Sequence, residues 1–227
     1  MKKILAPNDL TFIIPVRKGS ERIKNKNIKK FYNTNLLELK LGQLFRIFKN
    51  PNIVLSTDCE ISKKIGIKFG VFIDERPKKY ASSFVPMKKV YKYLASIVKT
   101  KFIGYTNVTS PLISDLSIVK IFNLFKKKKI QSITTVHIIQ EYMWFKSKAI
   151  NYNPNNHPKS QNLKKILALN FAFSIIDKKF MQAQGKIISN NFCPYVLDFP
   201  EYIDIDNKKD FLIAEYIIKN KKKFTNN

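Results

Sequence analysis

The chain has 227 residues, 44% of them hydrophobic, and a formal net charge of +26. That length supports one sizeable core and is short for two domains, while two cysteines, Cys59 and Cys193, exclude a disulfide scaffold or a zinc site. So high a charge suggests a nucleic-acid or anionic-surface binder. Yet only Arg17, Arg22, Arg46 and Arg76 among the 42 basic residues are arginines, and the lysines are dispersed along the chain. Phosphate and base readers lean on the arginine fork, so nucleic acid is the weaker reading.

The opening MKKILAPNDL begins like a signal peptide, but Pro7, Asn8 and Asp9 cut its apolar stretch too short. No segment reaches the roughly 18 apolar residues of a membrane span, so a cytoplasmic protein without membrane contact is expected. Phe12, Ile13 and Ile14 are β-formers, and Pro15 is expected to end regular pairing. The polar residues that follow then emerge at the carboxyl end of a strand, where open α/β sheets bind ligands. Gly19 allows close backbone approach to an anion, Ser20 adds a hydroxyl, and Arg17, Arg22 and Lys26 offer charged donors to phosphate. The spacing fits neither the P-loop nor the dinucleotide fingerprint, and in so basic a chain the loop is equally readable as solvated surface.

Further along, an amphipathic run near 36–49 precedes a strand at 52–57, a helical stretch through Lys68, and a strand at 71–74. A helix is predicted over 87–99, a strand from 101, a helix over 115–127 and a strand over 131–139. Residues 140–165, rich in Asn, Pro, Lys and aromatics, form an excursion, after which the chain returns through LALNFAFSII. A last amphipathic helix sets Phe211, Ile213, Ala214, Ile217 and Ile218 on its apolar side. This alternation predicts a three-layer α/β domain, a mostly parallel sheet with helices on both faces, spanning the whole chain. His137 and His157 lack partners at ligand spacing and are expected to be structural or surface residues.

The segment EYIDIDNKKDF, residues 201–211, carries paired aspartates. On a strand, Asp204 and Asp206 would point to one side and converge on a hard cation such as magnesium, with Ile203 and Ile205 facing the core. Alternatively, Asp206 caps the following helix with Asp210 in its first turn. Both readings stay open on these residues alone.

Taken together, these segments resemble the acylneuraminate cytidylyltransferase family, the CMP-sialic acid synthetases. The likeness rests on Arg17, Gly19, Ser20, Lys26 and Asn27 after the first strand; on Ser56, Thr57 and Asp58; on Arg76 and Pro77; on NVTSPL at 107–112; and on Asp204, Asp206, Asp210, Phe211, Ala214 and Glu215. The resemblance implies a nucleotide-diphospho-sugar transferase fold of Rossmann-like type with a projecting dimerisation element. It implies a loop holding CTP through Arg17, Gly19, Ser20, Arg22, Lys26 and Asn27, with Arg76 assisting and with Arg17, Lys26 and Asp206 acting in catalysis. Asn107, Thr109, Ser110 and Asn170 would face a sugar acid, and Asp204 and Asp206 would hold magnesium. The reaction implied is attack of the anomeric hydroxyl of a sialic, legionaminic or pseudaminic type of nonulosonic acid on CTP, releasing diphosphate, for surface glycan assembly. A 3-deoxy-octulosonate is the alternative acceptor, although the family members that use it usually show Lys-Pro where this chain has Lys26-Asn27.

Several positions depart from the family pattern. Glu21 stands where a lysine is usual, Asn107 replaces glutamine, Ile113 replaces a frequent arginine, Phe171 replaces a glycine after Asn170, and Met87 falls where Ser or Thr is expected. The excursion falls at the family's dimerisation element. Tyr142, Met143, Trp144 and Phe145 suit an interface core or simple core packing, and Gln161 with Asn162 would reach the sugar site of a homodimer partner.

Overall fold

The computed structural model describes residues 3–19, 22–128, 130–220 and 224; Ser20 and Glu21 lie outside them. Seven strands pair into one sheet: β1 (Leu10–Val16), β2 (Asn52–Thr57), β3 (Phe72–Glu75), β4 (Phe102–Thr106), β5 (Ser132–Ile139), β6 (Ile166–Asp177) and β7 (Cys193–Val196). Their spatial order is β3-β2-β1-β4-β6-β5-β7. All run parallel except β6, which is antiparallel to both of its neighbours. The helices are α1 (Leu36–Ile47), α2 (Glu60–Lys68), α3 (Lys78–Ala81), α4 (Met87–Ser96), α5 (Asp115–Lys127), α6 (Lys178–Gln184) and α7 (Lys208–Lys219). Among the described residues, no helix is long and apolar enough to cross a membrane.

Strand alternation divides the core into two layers. Phe12, Ile14 and Val16 join Leu36, Leu37, Leu41 and Leu44 of α1, Ile118, Ile121 and Phe122 of α5, and Phe211 and Ala214 of α7. Ile13 points the other way and packs with Val90 and Leu94 of α4 and Met181 of α6. Helices therefore cover both faces, as a parallel sheet requires.

Three expectations are corrected. Pro15 does not end β1: pairing with β4 stops at Ile13, whereas pairing with β2 continues to Val16 and Thr57, because proline lacks a donor without preventing an extended backbone. The helix expected over 87–99 ends at Ser96. On α7 the apolar face is carried by Phe211, Ala214 and Ile217, while Ile213 is exposed.

The early loss of β4 as a partner matters for the site. The strand order reverses between β1 and β4, and here a crevice opens at the carboxyl end of the sheet, the place where open α/β sheets bind ligands.

The excursion is an ordered unit. Trp144–Phe145 and Lys148–Ala149 form a hairpin whose turn residues, Lys146 and Ser147, both have positive φ. Buried Asn151 ties it together, donating to the carbonyls of Glu141 (2.7 Å) and Lys164 (3.2 Å) and accepting from the Met143 amide at 3.0 Å. Trp144 and Phe145 are 53% and 65% exposed, so core packing within the protomer is not their role.

Candidate active site

The loop after β1 is shaped by its backbone. Asn25 adopts φ 55, a left-handed conformation that Asn tolerates, and its carbonyl accepts from the amides of Ile28 (3.0 Å) and Lys29 (2.9 Å). The Lys18 amide donates to Asp58 Oδ1 at 2.7 Å, tying the loop to the segment after β2. These constraints turn Arg17, Gly19, Arg22, Lys26 and Asn27 into one cleft of about 190 Å³, closed by Pro15, Asn107, Val108, Thr109 and Asp206.

Asp206 reaches this cleft without a strand. Residues 203–206 join no ladder; instead the Ile205 amide donates to the Thr109 carbonyl at 2.8 Å, and the Ile205 side chain is fully buried. The neighbouring Asp206 is thereby turned into the cleft, while Asp204 is partly buried against Ser110. The helix-cap reading of Asp206 is also corrected, since Asn207 caps α7 and Asp210 completes the capping box. Asp206 instead accepts from Arg22 Nη2 at 2.7 Å. Lys26 Nζ donates to the Ile205 carbonyl, between the two carboxylates in sequence.

Electrostatics bind this group together. Burial pushes the Asp204 carboxyl above its ordinary range, opposed by a hydrogen bond from Thr109, with Asp206 raising it further. The Ser110 hydroxyl also donates to Asp204 Oδ1, at 3.3 Å. Burial lowers the Lys26 ammonium, opposed by Asp204 and then by Asp206. The result is a partly desolvated crevice with cations on the β1 loop, Asp206 on its wall and Asp204 close by, an arrangement that suits a polyphosphate and its counter-cation.

The remaining expected residues are placed differently. Ser110 is fully buried behind Asp204, and Asn107 Nδ2 donates to the Phe171 carbonyl at 3.3 Å. Asn170 is buried at the irregularity in β6, with its Nδ2 unpartnered and its Oδ1 accepting from the Ala172 amide at 3.2 Å. Phe171 beside it has φ 52, the region that favours the glycine usual in the resembled family. Arg76 does not line the cleft. It is buried, donating to Ser56 Oγ (3.0 Å) and to the Ser56 carbonyl (2.7 Å), and Ser56 in turn donates to Asp74, which also accepts from the Tyr93 hydroxyl. Burial lowers its guanidinium, opposed most strongly by Tyr105. Gln161 lies on an exposed turn of the excursion, away from the cleft lining.

A second cavity of about 580 Å³ adjoins the first, sharing Arg17 and Gly19 and lined also by Lys24, Asn25, Asp58, Lys78, Ala81, Ser82 and Ser83. The sequence reading missed Ser82 and Ser83; their place shortly after Arg76-Pro77 was the available signal. Among the described residues, no cluster of three or more His, Cys, Asp and Glu side chains could hold a metal. Two carboxylates fit magnesium nonetheless, because that ion usually takes one or two protein carboxylates and completes its shell with substrate phosphates and water. His137 stacks on Tyr202 at 4.5 Å and His157 is exposed, and both cysteines are free thiols, consistent with structural or surface roles.

Residues 11–213 match the family model described as cytidylyltransferase. The chain belongs to the cytidylyltransferase family. It is therefore a nucleotidyltransferase, and the crevice at the β1–β4 reversal is where its chemistry is to be sought. Post-translational flagellin modification protein B of Campylobacter coli is 24% identical, over 94% of this chain and 97% of that protein. A CMP:2-keto-3-deoxy-manno-octonic acid synthetase solved with CTP superposes with a TM-score of 0.66 at 10% identity, covering 94% of this chain and all of that one. A 4-diphosphocytidyl-2C-methyl-D-erythritol synthase from Anaerococcus prevotii gives 0.63 at 14%, covering 92% and 96%. At these identities the two structures establish that this cytidylyltransferase shares their fold.

Proposed function

We propose that the protein is a cytoplasmic, magnesium-dependent enzyme that transfers CMP from CTP to the anomeric hydroxyl of a nonulosonic acid. The observation that carries the reading is the convergence of Asp206 with Arg17, Arg22 and Lys26 on one cleft closed by Asn107 and Thr109, with Asp204 near enough to favour the Lys26 charge. The anomeric hydroxyl attacks the α-phosphorus and gives up its proton to solvent, the bond to the β-phosphate oxygen breaks, and diphosphate leaves with that electron pair. Arg17 and Lys26 hold the phosphates and offset the charge that builds on them, and Ser20 is proposed to hydrogen-bond nearby. The larger adjoining cavity takes the nucleoside, within reach of Ser82 and Ser83, which line it. Asp204 and Asp206 are the residues that would hold magnesium, which supplies charge neutralisation on the phosphates and acidifies a bound hydroxyl. Asn107 and Thr109, which line the cleft, are assigned to the sugar side, whereas the expected Ser110 and Asn170 are buried and line no part of it.

The choice of a nonulosonic acid is supported by the flagellin-modifying relative and by the Lys26-Asn27 pair. It is tested by diphosphate release from CTP with sialic, legionaminic, pseudaminic and octulosonic acids in parallel. Release with one nonulosonic acid and not with the octulosonic acid supports the assignment; the reverse pattern overturns it. Arg17→Ala is expected to lower kcat/KM for CTP about 10- to 100-fold, the scale of one lost charge-assisted hydrogen bond. An unchanged value would make Arg17 a solvated surface residue.

Homodimerisation is proposed through the exposed apolar residues Trp144, Phe145 and Ile150 of the excursion and Leu167 and Leu169 of β6. Leu167 pairs with Ile138, also exposed, which makes the patch continuous across β5 and β6. Leu167→Lys combined with Phe145→Lys should yield a monomer by light scattering. The KM for the sugar acid should then rise about tenfold with CTP affinity unchanged, as Gln161 of a neighbour would be withdrawn. A double variant that remains a dimer places the interface elsewhere.

A further inference from the structure

The apolar face of α1 contains one residue that its packing does not explain. Leu36, Leu37, Leu41, Leu44 and Ile47 are all fully buried on this face, and Lys40 stands among them at zero exposure. A methionine would fill the same space without removing an ammonium from water, and replacing buried charge by apolar groups is often neutral or stabilising. The ammonium supplies hydrogen bonds instead. Lys40 Nζ donates to Gln43 Oε1 at 3.0 Å and to the Ser110 carbonyl at 3.1 Å. Gln43 Nε2 donates in turn to the Ile113 carbonyl at 2.7 Å and to Asp115 Oδ1 at 3.0 Å. Residues 110–113 are thus gripped at both ends from α1. On its other side this segment and the residue before it hold the stretch at 204–205, through the Ser110 hydroxyl on Asp204 and the Thr109 carbonyl on the Ile205 amide.

We propose that Lys40 is a positioning residue that orients Asp204 for its cation by fixing the Ser110 carbonyl from beneath. The inference rests on the cytidylyltransferase reading of the cleft given above. Of the charged groups near Lys40, Asp115 of α5 favours its charge, and Arg46 of α1 is paired to that aspartate at 2.6 Å. Burial outweighs Asp115 and pushes the Lys40 ammonium from an ordinary 10.5 down to about 7. The folded group then releases its proton before the unfolded one does, so its contribution makes the protein more stable as pH rises from about 7 toward its ordinary value.

The test is manganese affinity, read from the resonance of the free ion, for the full chain with CTP bound, in the wild type, Lys40→Met, Ser110→Ala and the double variant. Each single variant should weaken manganese about tenfold, the lower end of losses from groups that support metal ligands. The double variant should bind no worse than the singles, CTP affinity in chelator should be unchanged, and the rise in melting temperature above pH 7 should flatten in Lys40→Met. Wild-type affinity in a folded Lys40→Met, or additive losses in the double variant, would overturn the proposal. Ser110→Ala leaves α1 intact, so full manganese affinity in that variant overturns it even if Lys40→Met fails to fold. No manganese binding by the wild type itself would instead overturn the reading of the cleft.

Discussion

Asp206→Asn is expected to lower kcat about 100- to 1,000-fold, the loss typical of removing one preorganised electrostatic group from a reacting centre. The fold should survive. Asp206 is half-exposed, its side-chain partner is the exposed Arg22, and α7 is capped by Asn207 and Asp210. An exposed ion pair of this kind contributes only about 0–1 kcal/mol. Asp204→Asn should have the smaller effect on turnover. The comparison is made by steady-state rates across a magnesium titration, with melting temperature as the control. Retained activity in both variants would remove the two aspartates from the site.

The largest effect on stability is expected from Phe12→Ala. Phe12 is fully buried, its ring centroid 4.8 Å from Phe48 and 6.1 Å from Phe173, joining the first strand to the segment after α1 and to β6. The ring also fills the space over Gly104 on the neighbouring strand, where an added Cβ would come within 2.5 Å of Phe12 Cδ1. Truncation should cost about 3–5 kcal/mol by denaturant titration, a large share of the about 5–15 kcal/mol of a typical domain. Because β1 positions the loop at 17–27, nucleotide binding should fall with it at temperatures near the new midpoint. A loss below about 1 kcal/mol would mean that Phe48 and Phe173 collapse into the space. Gly104→Ala approaches the same contact from the other side and should cost about 1–3 kcal/mol by overpacking.

Much of this architecture was legible because the signals are local. The β-formers of β1 with a basic loop behind them, the alternation of strands and helices, and Asp210 in the first turn of α7 all depend on residues within a few positions of one another. The strand order was not legible in the same way. Nothing in the residues 166–177 states that β6 runs against its neighbours, since that direction is fixed by pairing with segments far away in sequence. The site shows the same division. Arg17, Lys26 and Asp206 could be selected by residue type, but Lys26 meets the Ile205 carbonyl across 179 positions, and only the fold brings them together. The strand expected at Asp204 and Asp206 failed because alternation is also produced by a single anchored residue, here Ile205. Lys40 escaped notice for a different reason. In a chain with 42 Lys and Arg residues, one lysine on an amphipathic helix looks like solvated surface, and only its burial distinguishes it.

The most direct measurement is the fate of label from CTP carrying a marked α-phosphate, incubated with magnesium and a nonulosonic acid and compared with equally marked ATP, GTP and UTP. Label should pass from CTP alone into a CMP-sugar, with one unlabelled diphosphate released per product. Label that stays in CTP with every sugar acid, or that transfers equally well from all four nucleotides, would contradict the assignment of this cleft to cytidylyl transfer.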